Sequence, residues 1–148
     1  MAPSRAGVPH AVLFACGQNS VRSPMAEGLL KKTHGRRIFI DSVGLKAAPI
    51  DPLAVEVMAE IGIDLHAHQS KTFDDLADSS FDVIVTLSPE AQHRAIEMTR
   101  IMACDVEYWQ TLDPTVVEGT REQRLASYRQ VRDYLAARLR ERFPVPPG

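Results

Sequence analysis

With 148 residues, 45% of them hydrophobic and 24% charged, the chain has the make-up of one globular domain, residues 1–148, able to bury a real core. Its formal net charge of -2 excludes a global basic field, so neither nucleic acid nor a membrane is the expected partner and any anion site must be local. Two cysteines, Cys16 and Cys104, make no disulfide framework, and no apolar run reaches spanning length; together these predict a reduced, cytoplasmic protein.

Taken in chain order, the N-terminus lacks the apolar core of a signal peptide, and residues 1–8 are expected to be a tail. Residues 10–15 read as a buried strand. Residues 23–34 read as a helix with Met25, Leu29 and Leu30 on one face and Gly35 as its stop. Ile38, Phe39 and Ile40 mark a second strand over 37–41. Asp51-Pro52 is a cap residue followed by proline at the first helical position, opening a helix to about Ile61, with Gly62 as the break. Residues 71–77 predict one short helical turn. Residues 81–87 are a third strand, apolar after Asp82 as in a sheet covered on both faces. Ser88-Pro89 repeats the cap-and-proline signal and opens a helix to about Arg100. A fourth strand is expected over 105–109. Residues 120–143 form the longest helix, its apolar face Leu125, Tyr128, Val131, Leu135 and Leu139. Residues 144–148 are the second expected tail.

This alternation predicts an α/β fold: a single-domain four-stranded parallel sheet with helices on both faces. Ligands of such sheets bind beyond the carboxyl ends of the strands. Cys16 sits at one such end, and the loop after Trp109 sits at another.

The stretch AVLFACGQNSVRSP, residues 11–24, runs from strand to helix through Cys16, Gly17, Gln18, Asn19, Ser20, Val21, Arg22 and Ser23. A loop this short wraps one tetrahedral anion, with backbone N–H groups pointing inward and the positive end of the next helix aimed at the same spot. Arg22 would close the ring by a bidentate grip. Gly17 and Asn19 suit unusual dihedrals. The same field would keep Cys16 as an ionised nucleophile, since helix N-termini and cations bring cysteines from about 8.5 to roughly 3.5–7.5. Ser23 would donate to its sulfur. A cysteine, five residues and an arginine fit a buried structural thiol with a surface arginine equally well; the strand before and helix after favour the anion loop.

VLFACGQNSVRSPMAEGLL resembles the phosphate loop of low-molecular-weight protein tyrosine phosphatases and of the arsenate reductases that share their fold. DSVGLKAAPIDP, FDVIVTLSPEA and EYWQTLDP resemble, in turn, that family's Ser-x-Gly stretch, third strand and acid loop, so the likeness covers nearly the whole chain. It implies that Cys16 attacks phosphorus and forms a cysteinyl-phosphate. Arg22 and the loop amides hold the transferring oxygens, Ser23 stabilises the sulfur, and Asn19 shapes the loop by bonding Ser42. Asp113 protonates the leaving oxygen and then activates water. Phosphoryl transfer asks for such positioning, charge stabilisation and an acid in any case. The expected partners are a phosphorylated protein or a small aryl phosphate, with phosphate, sulfate or arsenate as bound anion and no metal or cofactor.

The chain departs from that family pattern in several places. Val21 stands where phosphatases of the family commonly have a second loop cysteine, so Cys16 would overoxidise more readily. Gln18 stands for a glycine. Thr115 and Val116 follow Asp-Pro where tyrosine-specific members have aromatic residues, and residues 42–51 hold neither tryptophan nor tyrosine. Tyr108 would stand in for part of that wall, while Trp109 is expected in the core. The competing function is arsenate reduction. Its internal relay needs a cysteine after the third strand, where this chain has Ser88, and Cys104 falls too late. An external thiol or glutaredoxin would have to serve.

Other signals read as structural. His66 and His68 lack a third ligand of matching spacing and suggest a solvated loop. His34 suits a helix C-terminus. Lys31 to Arg37 is a basic helix end, and the arginines of the last helix are balanced by Glu122, Asp133 and Glu141. There is no nucleotide-binding loop, dinucleotide fingerprint or zinc-protease helix.

Overall fold

The computed structural model describes residues 9–76 and 80–145. Four parallel strands form one sheet in the order β2-β1-β3-β4: β1 (Ala11–Cys16), β2 (Phe39–Gly44), β3 (Val83–Thr86) and β4 (Asp105–Tyr108). Four helices connect and cover them: α1 (Arg22–His34), α2 (Pro52–Ala59), α3 (Pro89–Met98) and α4 (Arg121–Arg142). Chain order reverses between β1 and β3, so the crevice above these two strands is the topological switch point where such sheets bind ligands.

Strand alternation divides the core. Val12, Phe14 and Cys16 of β1 face a cluster with Met25 and Leu30 of α1 and with Leu125, Tyr128 and Leu135 of α4. Ala11, Leu13 and Ala15 face the opposite cluster, with Phe73, Phe81, Ile84, Ala91 and Ala95. Both faces are covered, as the apolar third strand requires. The five residues expected on the apolar face of α4 are all buried.

Both cap-and-proline signals form as read. Asp51 accepts from the Leu53 amide at 2.8 Å, and Ser88 accepts from the Ala91 amide at 3.3 Å. Thr120 caps α4 through a reciprocal pair with Gln123. The short turn is a 3-10 turn at Phe73–Asp75; the end of its predicted span, at Ala77, lies outside the described residues.

Strand boundaries moved. β1 extends to Cys16, and β2 starts and ends later than its apolar triplet suggests, running through Ser42, Val43 and Gly44. Pairing is the reason: the strands stay in register to the pair Cys16 and Gly44. Gly35 ends α1 without a left-handed turn (φ −60°); a Cβ there would lie 2.5 Å from the Lys31 carbonyl oxygen. Pro144, read as tail, is tied in where its carbonyl meets His34 Nε2 at 3.2 Å. Residues 1–8 and 146–148 lie outside the described residues. Among the described residues no helix is long and apolar enough to cross a membrane.

Candidate active site

Accounting for backbone groups explains the loop after β1. Every carbonyl from Cys16 to Val21 is turned outward and taken. Leu45, Lys46 and Ala48 amides donate to Cys16, Gly17 and Gln18 oxygens at 3.2, 3.0 and 3.0 Å. Ser70 Oγ donates to Asn19 at 2.7 Å, and the Asp51 and Met25 amides donate to Ser20 and Val21 at 3.0 and 3.1 Å. The amides of residues 17–21 donate to no protein acceptor among the described residues. With carbonyls out and amides in, the loop is a concave array of donors at the N-terminus of α1, the arrangement that holds an anion.

The conformational burden falls on Asn19, whose φ is 54°, and not on Gly17. A Cβ on Gly17 would meet only Arg22 Nη2, at 3.9 Å, so the glycine keeps space open before the guanidinium. The buried Asn19 side chain ties the loop down: its Nδ2 donates to Ser23 Oγ and to Ser42 Oγ, both at 2.9 Å. Its Oδ1 accepts from the Lys71 amide at 3.0 Å and from His68 Nε2 at 3.1 Å. Ser42 Oγ donates onward to the buried carboxylate of Glu27 at 2.5 Å. Behind the loop, Gly44 is in backbone contact: a Cβ there would lie 2.6 Å from the Asn19 nitrogen and 2.7 Å from the Gln18 carbonyl carbon.

Cys16 is buried, and its Sγ lies 2.9 Å from Ser23 Oγ. That hydroxyl also lies 3.3 Å from the Val43 carbonyl. It has one proton for two acceptors, so it can donate to Val43 while the thiol donates to it, or turn to a thiolate.

Arg22 and Asp113 complete a cleft of about 180 Å³ lined by Cys16, Gly17, Gln18, Ser20, Val21, Arg22, Asp113 and Thr115. Arg22 Nη1 donates to the Thr111 carbonyl at 3.1 Å, and the Asp113 carboxylate lies 3.9 Å from Nη2. The two carboxylate oxygens of Asp113 have separate tasks. Oδ1 caps the 3-10 turn Pro114–Val116, accepting from the Thr115 amide at 3.0 Å and the Thr115 hydroxyl at 2.7 Å. Oδ2 is the atom near Arg22. Asp113 is therefore both a turn-former and a cleft residue.

Trp109 packs in the core, edge-on to Phe14, and its Nε1 donates to Glu107 at 3.1 Å. Tyr108 does not line this cleft; it borders a second cavity of about 570 Å³ that shares Asp113 with it. Two expectations need correction. His68 is no solvated loop residue: its side chain is 9% exposed, it bonds Asn19, and burial lowers its pKa against the upward pull of Glu27. The arginines of α4 are balanced mainly across elements, with Arg121 on Glu56, Arg129 and Arg132 on Glu60, and Arg142 on Glu107; Arg132 also pairs with Asp133. Those two arginines hold the Glu60 carboxyl down to about 2. Among the described residues no three His, Cys, Asp or Glu side chains cluster as a metal site would require. Glu27 carried no local signal for its role; for Gly44 the only one was the Ser-x-Gly stretch, Ser42 to Gly44, of which it is the glycine.

Residues 11–143 match the profile described as "Low molecular weight phosphotyrosine protein phosphatase". An arsenate reductase of Bacillus subtilis is 35% identical over 130 residues, 88% of this chain and 92% of the relative. The structure of an arsenate reductase in the phosphate binding state superposes with a TM-score of 0.70 at 28% identity, covering 93% of this chain and 99% of the other. The low molecular weight protein tyrosine phosphatase of T. tengcongensis gives 0.69 at 26% identity, covering 86% and 93%.

Proposed function

Since the chain belongs to the low molecular weight phosphotyrosine protein phosphatase family, we propose that it hydrolyses phosphate monoesters, protein phosphotyrosine or small aryl phosphates, through a cysteinyl-phosphate on Cys16. The main support is that one small cleft joins a buried sulfur, a run of amides with no protein acceptor among the described residues, a guanidinium and a carboxylate. In the first step the Cys16 thiolate attacks phosphorus, an S–P bond forms, and the P–O bond to the leaving group breaks. Asp113 gives its proton to the departing oxygen. In the second step Asp113 takes a proton from water, the water oxygen attacks phosphorus, and the S–P bond breaks. Inorganic phosphate leaves and the thiolate returns. Arg22 and the amides of residues 17–21 hold the three equatorial oxygens throughout. Ser23 turns its proton to the sulfur whenever it carries charge.

Arsenate reduction is the second reading, favoured by the 35% identity to an arsenate reductase. Arsenate fits the same ring of donors. Cys104 is not placed to relay electrons: it precedes β4 at the amino end of the sheet, while Cys16 ends β1 at the carboxyl end. By strand register Cys104 is level with Ala11, about 16 Å from Cys16 along the strands, beyond the Cα separation of about 7 Å that a disulfide spans. Electrons would come from an external thiol.

The two readings separate in one experiment: phosphate release from aryl phosphates beside arsenate-dependent thiol oxidation. Cys16→Ser is expected to abolish phosphate release. Asp113→Asn is expected to slow release roughly 10²-fold or more for phenyl phosphate and far less for 4-nitrophenyl phosphate, whose leaving group needs no acid. Brisk arsenate reduction with negligible phosphate release would reverse the order of the readings.

A further inference from the structure

The cleft that takes the phosphoryl group is small and has no aromatic wall. Its lining offers a leaving group little beyond Gln18, Asp113 and Thr115. A second cavity, about 570 Å³, meets it at Asp113, which lines both. Its volume lies within the range of small-ligand sites. One wall is the acid loop from Gln110 to Asp113, and the other is the face of α4 bearing Ser127, Gln130, Val131 and Tyr134. The wall is pinned: Tyr134 Oη donates to the Gln110 carbonyl at 2.8 Å, and the Thr111 carbonyl on the same loop holds Arg22. Apart from Asp113 the lining carries no charge, and it presents Tyr108, Tyr134, Leu112 and Val131 to an occupant. Leu112, 73% exposed, stands at its edge.

We propose that this cavity is a substrate subsite that receives an apolar side chain next to the phosphorylated residue of a protein substrate. The inference rests on the phosphatase reading and names the substrate class: a phosphoprotein segment with a leucine-like or aromatic neighbour, and no acidic residue at that position. Three observations carry it. The shared residue puts the cavity one wall away from the leaving oxygen, within reach of a neighbouring residue in a chain that advances about 3.3–3.6 Å per residue. Apart from Asp113 the lining offers no charged partner to an ionic occupant, and Asp113 at the junction disfavours a carboxylate there. The narrow phosphate cleft leaves binding of the protein part to be made elsewhere.

The test uses Cys16→Ala protein, so that binding is read without turnover. The probes are acetyl-Ala-Ala-pTyr-Ala-Ala-amide and four versions with leucine at each alanine in turn. Leucine at one position is expected to tighten binding about tenfold, the factor that burying most of one aliphatic side chain gives; glutamate there is expected to give no gain. Ser127→Trp and Gln130→Trp, each added separately to fill the cavity from α4, should bring the leucine-to-alanine ratio close to one, with the ratio taken within each variant. Peptides that all bind within twofold of the parent, or that fail to bind at all, would overturn the subsite, as would a leucine preference that survives both tryptophan variants. The phosphatase reading fails by a different measurement: no phosphate release from 4-nitrophenyl phosphate by the native protein.

Discussion

The two loops that meet over Cys16 are built on opposite plans. The phosphate loop is locked from behind. Its carbonyls from Cys16 to Ser20 all accept from other segments, its asparagine side chain makes four hydrogen bonds, and Asn19, Ser23, Ser42 and Cys16 are buried. The acid loop is held at separate points: Trp109 in the core, Gln110 to Tyr134, Thr111 to Arg22, and Asp113 to Thr115. Between and just after those points, Leu112 and Val116 are 73% and 68% exposed. A tetrahedral anion is the same in every substrate, so its cradle gains by being fixed. Leaving groups differ, so the arm that meets them gains by being lightly tethered.

The contrast is sharpest at Asn19. Asn19→Ala leaves the Lys71 amide and the His68 Nε2–H without their acceptor, takes a donor from Ser23 and Ser42 and puts alanine at positive φ, so it should cost about 3 kcal/mol in chemical denaturation, at the high end for lost buried partners. Gly44→Val pushes on the backbone of residues 18 and 19 from behind. It should lower kcat/KM roughly 10²-fold, the loss expected when a reacting group is displaced by about 1 Å, and should weaken phosphate inhibition in parallel. On the acid loop, Thr115→Val removes the hydroxyl but not the amide that holds Asp113 Oδ1. It should cost about 1 kcal/mol or less in melting experiments and slow phenyl phosphate more than 4-nitrophenyl phosphate. Equal stability losses in the two loops would break the comparison.

The smallest expected effect is a pH dependence confined to the cradle. Burial lowers the His68 pKa, while Lys71 lowers it further and Glu27 and Asp41 oppose. The native state therefore disfavours the proton that the unfolded chain takes up near its ordinary value of about 6.5. Stability from neutral His68 is full above that value and is lost as pH falls through the lower native pKa. His68→Gln should flatten this acid limb of the stability profile while keeping a donor to Asn19. A limb unchanged by the substitution would assign it to other groups.

What was legible in the sequence follows from how local each cause is. Asp51-Pro52 and Ser88-Pro89 fix helix starts within three residues, and the alternation of element types fixes a parallel sheet. Cys16 and Arg22 were nameable because a strand–loop–helix junction carries its own context, Asp113 only through the family likeness of EYWQTLDP, and the structure brings the three into one cleft. The end of β2 was not legible, because Ser42, Val43 and Gly44 look like a turn until they pair with β1. Glu27 and His68 act through contacts between segments far apart in the chain, and no spacing announces such partners. The large cavity exists only where α4 crosses the acid loop, so no single segment encodes it.

The outward carbonyls of the phosphate loop carry one more consequence. The amides of Leu45, Lys46, Ala48 and Asp51 are shielded by bonds to that loop, although none of these residues touches the cleft. Their deuterium uptake should therefore slow or quicken with the integrity of the cradle. That gives a spectator segment whose isotope exchange reports on the anion loop in any variant, including those with no turnover to measure.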